Sequence, residues 1–265
     1  MSIQRNRNNR EDTRSFIAPS RQISHHAPLN WLKLGWEDFK RIPRLSFVYG
    51  LVMALIALGI VIVSWQAYSF VLAIAMVAGF FFIGPSLAIG LYSMSCQLQN
   101  GITPQFMRCV REGRKNMANE LVLSFVFLIV FLIWARAAAM VHVFLPNLAE
   151  AGAADIMGFL LVGSAIGAIF AAVVFCIGAF SIPMMMDRDV DAVTAIISSV
   201  SAVLRNKLVM LIWGMLIVLG ILAGMAAGFI GLAITLPVIG HATWHAYQEV
   251  IDIAAWEAQA HTRAE

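Results

Sequence analysis

The chain has 265 residues, 60% of them hydrophobic and only 12% charged, with a mean hydropathy of +0.81. Soluble domains carry roughly 25% charged and about 45–50% apolar residues, and folded surface shrinks too slowly with size for a chain of this length to hide such an excess. A water-soluble globule is excluded, and the formal charge of +3 does not indicate a nucleic-acid binder, because the basic residues gather at the edges of apolar runs. Three cysteines, Cys96, Cys109 and Cys176, are an odd number that argues against a disulfide framework.

The chain opens on a polar lead, NRNNREDTRS, that reads as part of a disordered tail over residues 1–29. The first apolar run begins only at Phe47 and has no A-x-A-like cleavage site, so no secretory signal peptide is expected. Before it, Leu29, Leu32, Trp36 and Phe39 share one face of a short amphipathic helix, with Asn30 as N-cap and Pro43 ending it.

Crossing a hydrocarbon core of ~30 Å takes about 20 apolar residues. Four runs qualify at once: Phe47 to Trp65, Phe70 to Cys96, Glu120 to Val141, and Ile156 to Ile182. A fifth block, Leu208 to Trp244, is too long for one crossing and suits two, with the turn at Met225-Ala226-Ala227-Gly228. The expected architecture is all-α: a membrane domain over residues 30–253, six transmembrane helices as three hairpins, then a short tail over 254–265. Each hairpin follows a short amphipathic helix. The second such helix opens at Thr103-Pro104 and aligns Phe106, Val110, Gly113 and Met117. In the third, Val193, Ile196, Ile197, Val200, Val203 and Leu204 form a stripe, with Asp191, Ser198 and Arg205 on the polar side. Proline recurs near the inner boundary of each hairpin, at Pro85, Pro183 and Pro237.

Of the 18 Lys and Arg residues, nine lie in the lead, four between spans two and three, three between spans four and five, and one in the tail. Only Arg136 falls on the other face. By the positive-inside rule this places both termini in the cytoplasm; five spans would put the tail outside.

Few polar residues invite a functional reading. His241 and His245 stand four apart, on one helical face, as metal would require, yet no third ligand is evident and His-x-x-x-His lacks a glutamate between. The expectation is packing and hydrogen bonding at the inner interface, with Trp244 and Tyr247 as an aromatic belt; haem or metal there is not expected. Arg136, near the outer end of span three, reads as a snorkelling side chain, or as a partner of Glu150 or Asp155, or as an anion contact beside His142. The cluster Asp187-Arg188-Asp189-Val190-Asp191 suits the N-terminus of the third amphipathic helix. Gly220, Gly224 and Gly228, and Gly163 with Gly167, suggest close helix packing, and Met184-Met185-Met186 suggests apolar filling. No Walker loop, nucleophile elbow or Cys/His zinc spacing occurs, so no catalytic residue is nominated.

Three stretches, FFIGPSLAIGLYSM, SIPMMMDRDVDAVTAIISSVSAVLRNKLVMLIWG and GLAITLPVIGHATWHAYQEV, resemble a bacterial family of integral membrane proteins catalogued as domain of unknown function 2189. The resemblance spans about residues 30 to 253 and implies no activity. Some members carry a cytochrome c oxidase subunit label, but a catalytic oxidase subunit needs several deep histidines for two haems and copper, and this chain has only His142, His241 and His245 near the membrane. The expected function is a non-enzymatic accessory or scaffolding role in a membrane assembly, with a respiratory oxidase as the associate that label implies; the alternative is a small-solute transporter or channel with Arg136 as a contact. The expected partners are the lipid bilayer and a membrane protein, with no nucleic acid.

Overall fold

A computed structural model describes residues 17–66, 87–105, 107, 117–143 and 152–252. Among these residues the secondary structure is helical, with one isolated antiparallel bridge between Ser20 and Ile251. The helices are α1 (Ala27–Arg41), α2 (Pro43–Gln66), α3 (87–99), α4 (Met117–Val143), α5 (Ala153–Gly178), α6 (Ser181–Asp187), α7 (Ala192–Arg205), α8 (Lys207–Ala226) and α9 (Leu232–Val250). Four candidate membrane spans stand out by length and hydropathy among the described residues: α2, α4 as far as Met140, α5 continued through α6, and α8. At 1.5 Å per residue, the 20 residues of α8 reach about 30 Å, the thickness of the hydrocarbon core. The region expected to hold the second span lies mostly outside the described residues.

The block after Leu208 divides where small residues were expected to turn it. Helix α8 stops at Ala226, Gly228 and Phe229 take positive φ angles of 71° and 65°, and α9 begins at Leu232. Gly228 adopts that backbone without a Cβ clash.

The side-chain distribution is inverted relative to a soluble protein. In α5 no residue is buried, and Met157, Leu161 and Ile169 are each more than 60% exposed. The interior instead holds Ser46, Ser95, Ser198, Ser199, Gln97, Asp38 and His241 beside tryptophan, tyrosine and methionine. Apolar exposure on this scale is untenable in water and natural in lipid, where close packing rather than water expulsion holds helices together. The methionines behave as expected: Met184, Met185 and Met186 are all fully buried in the main core.

Packing decides how two of the amphipathic helices face. In α7 most of the stripe of large aliphatic residues looks outward or half outward, with Val193 and Leu204 exposed and Val203 buried, while Ala192, Ala195, Ser198, Ser199 and Ala202 face the bundle. Small residues on the inner face let α7 approach closely, and its serines do the bonding: Ser198 Oγ accepts from the Ala18 amide at 2.9 Å, and Ser199 Oγ accepts from the Phe180 amide at 3.1 Å. In α1 the helix starts at Ala27, three residues before the expected cap at Asn30, because Pro28 supplies a pre-set φ in the first turn. Its buried face runs through Trp31, Gly35, Asp38 and Phe39, leaving Leu29 and Trp36 exposed. The second amphipathic helix lies largely outside the described residues.

Helix α9 is the centre of the packing. Its heaviest contacts are with α1 and α2, and two glycines permit them. A Cβ on Gly35 would lie 2.6 Å from both the Val238 carbonyl and the Ala242 amide of α9. One on Gly50 would run into the Ala233 carbonyl and the Pro237 ring. Pro237 has no N–H to offer that carbonyl, so α2 comes closest where the α9 ladder is interrupted. The glycine series in α8 also serves this packing: Gly220 and Gly224 face Ile239, Leu232 and Thr235 of α9, whereas Gly163 and Gly167 of α5 have no atom near them.

Residues 17–26 form a strap across one end of the bundle. The Arg21 amide donates to the Val250 carbonyl (2.8 Å), the Asp252 amide to the Pro19 carbonyl (2.8 Å), and the Ile23 amide to Asn206 Oδ1 (3.0 Å). Asn206, between α7 and α8, returns a bond from its side-chain amide to the Arg21 carbonyl at 2.9 Å.

Gly50→Ala should therefore cost about 1–3 kcal/mol through overpacking, while Gly163→Ala should stay within roughly 0.5 kcal/mol of the parent. Thermal unfolding in detergent micelles, followed by near-ultraviolet circular dichroism, compares the two; equal effects would contradict the α2–α9 crossing.

Candidate functional site

The two histidines singled out in the sequence do share a face of α9, and that face looks into the protein. His241 is fully buried. Its Nε2 lies 3.0 Å from Ser46 Oγ of α2 and its Nδ1 lies 2.8 Å from Ser95 Oγ of α3. A neutral imidazole donates from one nitrogen and accepts at the other, and a hydroxyl can answer either way. Both ring nitrogens are thus satisfied by two helices that α9 must hold together.

One turn on, His245 Nε2 stands 2.8 Å from Asp38 Oδ2 of α1, and its Nδ1 is 3.4 Å from Gln99 Nε2 at the end of α3. The Trp244 indole donates to Gln99 Oε1 at 2.8 Å. That bond orients the Gln99 amide with its NH2 toward His245 Nδ1, which must accept. The ring proton consequently sits on Nε2 and points at Asp38.

Asp38 is almost completely buried, with Arg41 Nη1 3.7 Å from its other oxygen. Burial pushes its carboxyl toward a higher pKa, but the His245 hydrogen bond and charge, helped by Ser95 and His241, outweigh burial and hold it below the ordinary 3.8. Asp38, Ser46, Ser95 and Gln99 carried no signal as site residues in the sequence. What could have pointed to Asp38 is its spacing of three and seven from Gly35 and Trp31, which places it on the small, close-approach face of α1.

The residues expected to form an aromatic belt face protein rather than lipid. Trp244 and Tyr247 are buried, and the Tyr247 hydroxyl donates to Asp187 Oδ2 at 2.9 Å, where Arg188 Nε also donates at 3.0 Å. On the α1 side of α9, Trp31 is fully buried, donates from its indole to Glu249 Oε2 at 2.6 Å, and meets the Trp213 ring edge-on at 5.6 Å. Tryptophan and tyrosine in such surroundings need a partner for their polar atom, and each finds a side chain on another element.

The acidic cluster divides by role. Asp191 is the N-cap of α7, accepting from the Thr194 amide at 2.9 Å and the Thr194 hydroxyl at 3.0 Å. Those bonds, the backbone one foremost, outweigh its partial burial and hold its carboxyl below the usual range. Asp187 is instead the anchor for Tyr247.

Arg136 lies on an exposed face of α4 and, among the described residues, has no hydrogen bond or ion pair. Asp155, one of its candidate partners, accepts from the Gly152 amide at 3.0 Å at the start of α5; Glu150 lies outside the described residues. His142 falls in α4, but its side chain is not among those described. The structure therefore brings His241 and His245 together and leaves Arg136 apart from them. No group of three or more His, Cys, Asp or Glu side chains gathers in metal-holding geometry among the described residues.

Residues 71–187 match the family model described as a predicted integral membrane protein, DUF2189. The resemblance stated on FFIGPSLAIGLYSM and on the opening of SIPMMMDRDVD falls inside that range; the stretch at 231–250 lies beyond it. Together with the four apolar helices, the match makes this chain an integral membrane protein. No curated protein and no solved structure matches it.

Because the folded-state value of Asp38 is lowered, its stabilising contribution is complete above the ordinary 3.8 and fades as pH falls below that through the lowered value. The melting temperature of the detergent-solubilised protein should drop as pH falls below about 4 more steeply than that of Asp38→Asn. Parallel profiles would show that the Asp38–His245 pair contributes nothing.

Proposed function

We propose that this protein is a non-enzymatic structural component of a membrane assembly, with six membrane-crossing helices in three hairpins and both termini in the cytoplasm. The observation that carries the functional reading is that the two histidines of α9 and the polar side chains around them bond to one another. His241 and His245 use both ring nitrogens on Ser46, Ser95, Asp38 and Gln99, and Gln99 uses both ends of its amide. Groups held this way brace helices and have little capacity left for a ligand, whereas a carrier keeps polar groups available near the midplane.

Six helix ends tied together at one end of the bundle support the hairpin reading. The α3 end meets α9 through Gln99 and the pair Trp244 and His245; the α4 start meets the approach to α7 through Asn119 Nδ2 and the Val190 carbonyl (3.4 Å). Phe180, the N-cap of α6 just past the end of α5, bonds to Ser199 of α7, and the strap joins Asn206, ahead of α8, to the close of α9. Helix α2 starts from the same end, two residues after α1 finishes. The cationic lead and the positive-inside rule assign that end to the cytoplasm.

The same reading treats α9 as a crossing helix despite Pro237, His241 and Thr243, because protein rather than lipid surrounds those residues. A tag inserted at Asn147 should be reachable from outside intact cells while tags at the chain ends are shielded; the reverse pattern would overturn the orientation.

An accessory role predicts a partner. Affinity purification in a mild detergent should recover a stoichiometric membrane protein with this chain, and the subunits of a respiratory oxidase are the first to look for, given the label carried by some members of the resembling family. A lone monomer from gentle extraction would count against the proposal. The carrier reading rests on Arg136, exposed at the end of α4 opposite the tied one; a substrate flux in proteoliposomes that Arg136→Ala abolishes would replace the scaffold by a transporter.

A further inference from the structure

Helix α1 carries two faces, and only one is used inside the protein. Trp31, Gly35, Asp38 and Phe39 are turned to α9 and its neighbours. The opposite face runs Leu29, Lys33, Trp36, Lys40, at steps of four, three and four, so all four side chains project along one line of about 16 Å. Every one of them is exposed, Leu29 at 60% and Trp36 at 44%. The Trp36 ring stacks on the Phe39 ring, with centroids 5.5 Å and planes 4° apart. Arg41 and Arg44, both exposed, extend the cationic end of the line. Of the nearby acids, Asp38 is buried on His245 and Arg41, and Glu37 is half-buried on the flank.

The setting fixes what this face can meet. Helix α1 cannot roll, because Gly35 is wedged against the α9 backbone, Asp38 is bonded to His245 and Trp31 to Glu249. Nor can it leave the membrane surface, because only Ile42 separates Arg41 from Pro43, the first residue of an apolar span. An indole between two ammonium groups, held at the mouth of a span, matches the headgroup layer in both polarity and charge.

We propose that the Leu29–Lys33–Trp36–Lys40 face of α1 is a binding surface for anionic phospholipid headgroups. Leu29 and Trp36 enter the glycerol and upper acyl region, while Lys33 and Lys40 take phosphate oxygens of adjacent lipids. The partner is thus an anionic leaflet, selected over a zwitterionic one by charge, and the inference stands whether or not the protein scaffolds an assembly.

The full chain, reconstituted into equimolar phosphatidylcholine and phosphatidylglycerol, provides the test. Spin-labelled analogues of each lipid report which is enriched in the first shell around the protein. Phosphatidylglycerol should be enriched in the parent, and the enrichment should weaken as salt rises. The double variant K33Q/K40Q should lose about fivefold per lysine, the factor for one cation at an anionic surface. Replacing Lys207, exposed at the start of α8, should leave most of the enrichment intact. Both lysines are on the outer face, so an unchanged melting temperature in K33Q/K40Q separates lost lipid selectivity from lost fold. Equal retention of the two lipids by the parent, or undiminished enrichment in K33Q/K40Q, would overturn the assignment, as would an equal loss in the Lys207 variant.

Discussion

Helices in hydrocarbon gain little by hiding apolar surface from one another, so they must be joined by close backbone approach and by hydrogen bonds. In this protein both devices converge on α9. Its own sequence is the least suited of the long helices to lipid: it contains a proline, two histidines and two threonines, and eleven of its 19 residues are buried. Surrounded by α1, α2 and α3, those residues become an asset. The proline ring and the carbonyl it cannot bond receive Gly50, the α9 backbone receives Gly35, and the histidines reach Ser46, Ser95 and Asp38.

The chemistry of that arrangement differs from the chemistry its residue types suggest in isolation. Histidine, serine and aspartate near one another invite thoughts of catalysis or metal. Here each histidine bridges two different helices, and Gln99, the group that fixes the His245 tautomer, is itself fixed by a tryptophan. A buried network of this kind rewards complete satisfaction and penalises a missing member, since an unpaired polar atom in a medium of low dielectric loses its full solvation. Rigid registration of four elements is what such a network supplies, and a scaffold makes direct use of rigidity.

Much of the fold could be read from composition and run length. The apolar runs fell within four residues of α2, α4 and the start of α5, and the small residues at Met225–Gly228 marked the α8–α9 turn, because helix length and backbone permissiveness are local properties. Facing was less legible. The rule that apolar stripes point to the core is written for water; in lipid the large aliphatics of α7 point outward and its serines inward, so the pattern was seen and its direction was not. The same inversion hid Asp38: in WEDFKR it looks like one more solvated charge, and only the position of Gly35 a turn earlier hints that this face is pressed against another backbone. Trp244 and Tyr247 misled for a related reason. Their apolar bodies and polar tips suit a headgroup layer, but Gln99 and Asp187 offer the same pairing of oil and hydrogen bond inside the protein, and nothing local to α9 reveals that those partners exist.

The strap extends this logic to topology. A segment of ten residues ahead of α1 bonds to Ser198 and Asn206 around α7 and to Val250, Ile251 and Asp252 past the end of α9. Residues 19–21 and 250–252 are therefore fastened to each other at one end of the bundle. Helix α7, lying between α5 and α8, is held on its small-residue side by the strap and by Phe180, which frees its aliphatic side for lipid. Helix α1, the strap and the closing turns of α9 thus form one hydrogen-bonded layer at one end of the apolar helices, and it is this layer, rather than the spans themselves, that distinguishes the protein from a bare bundle of hydrophobic helices.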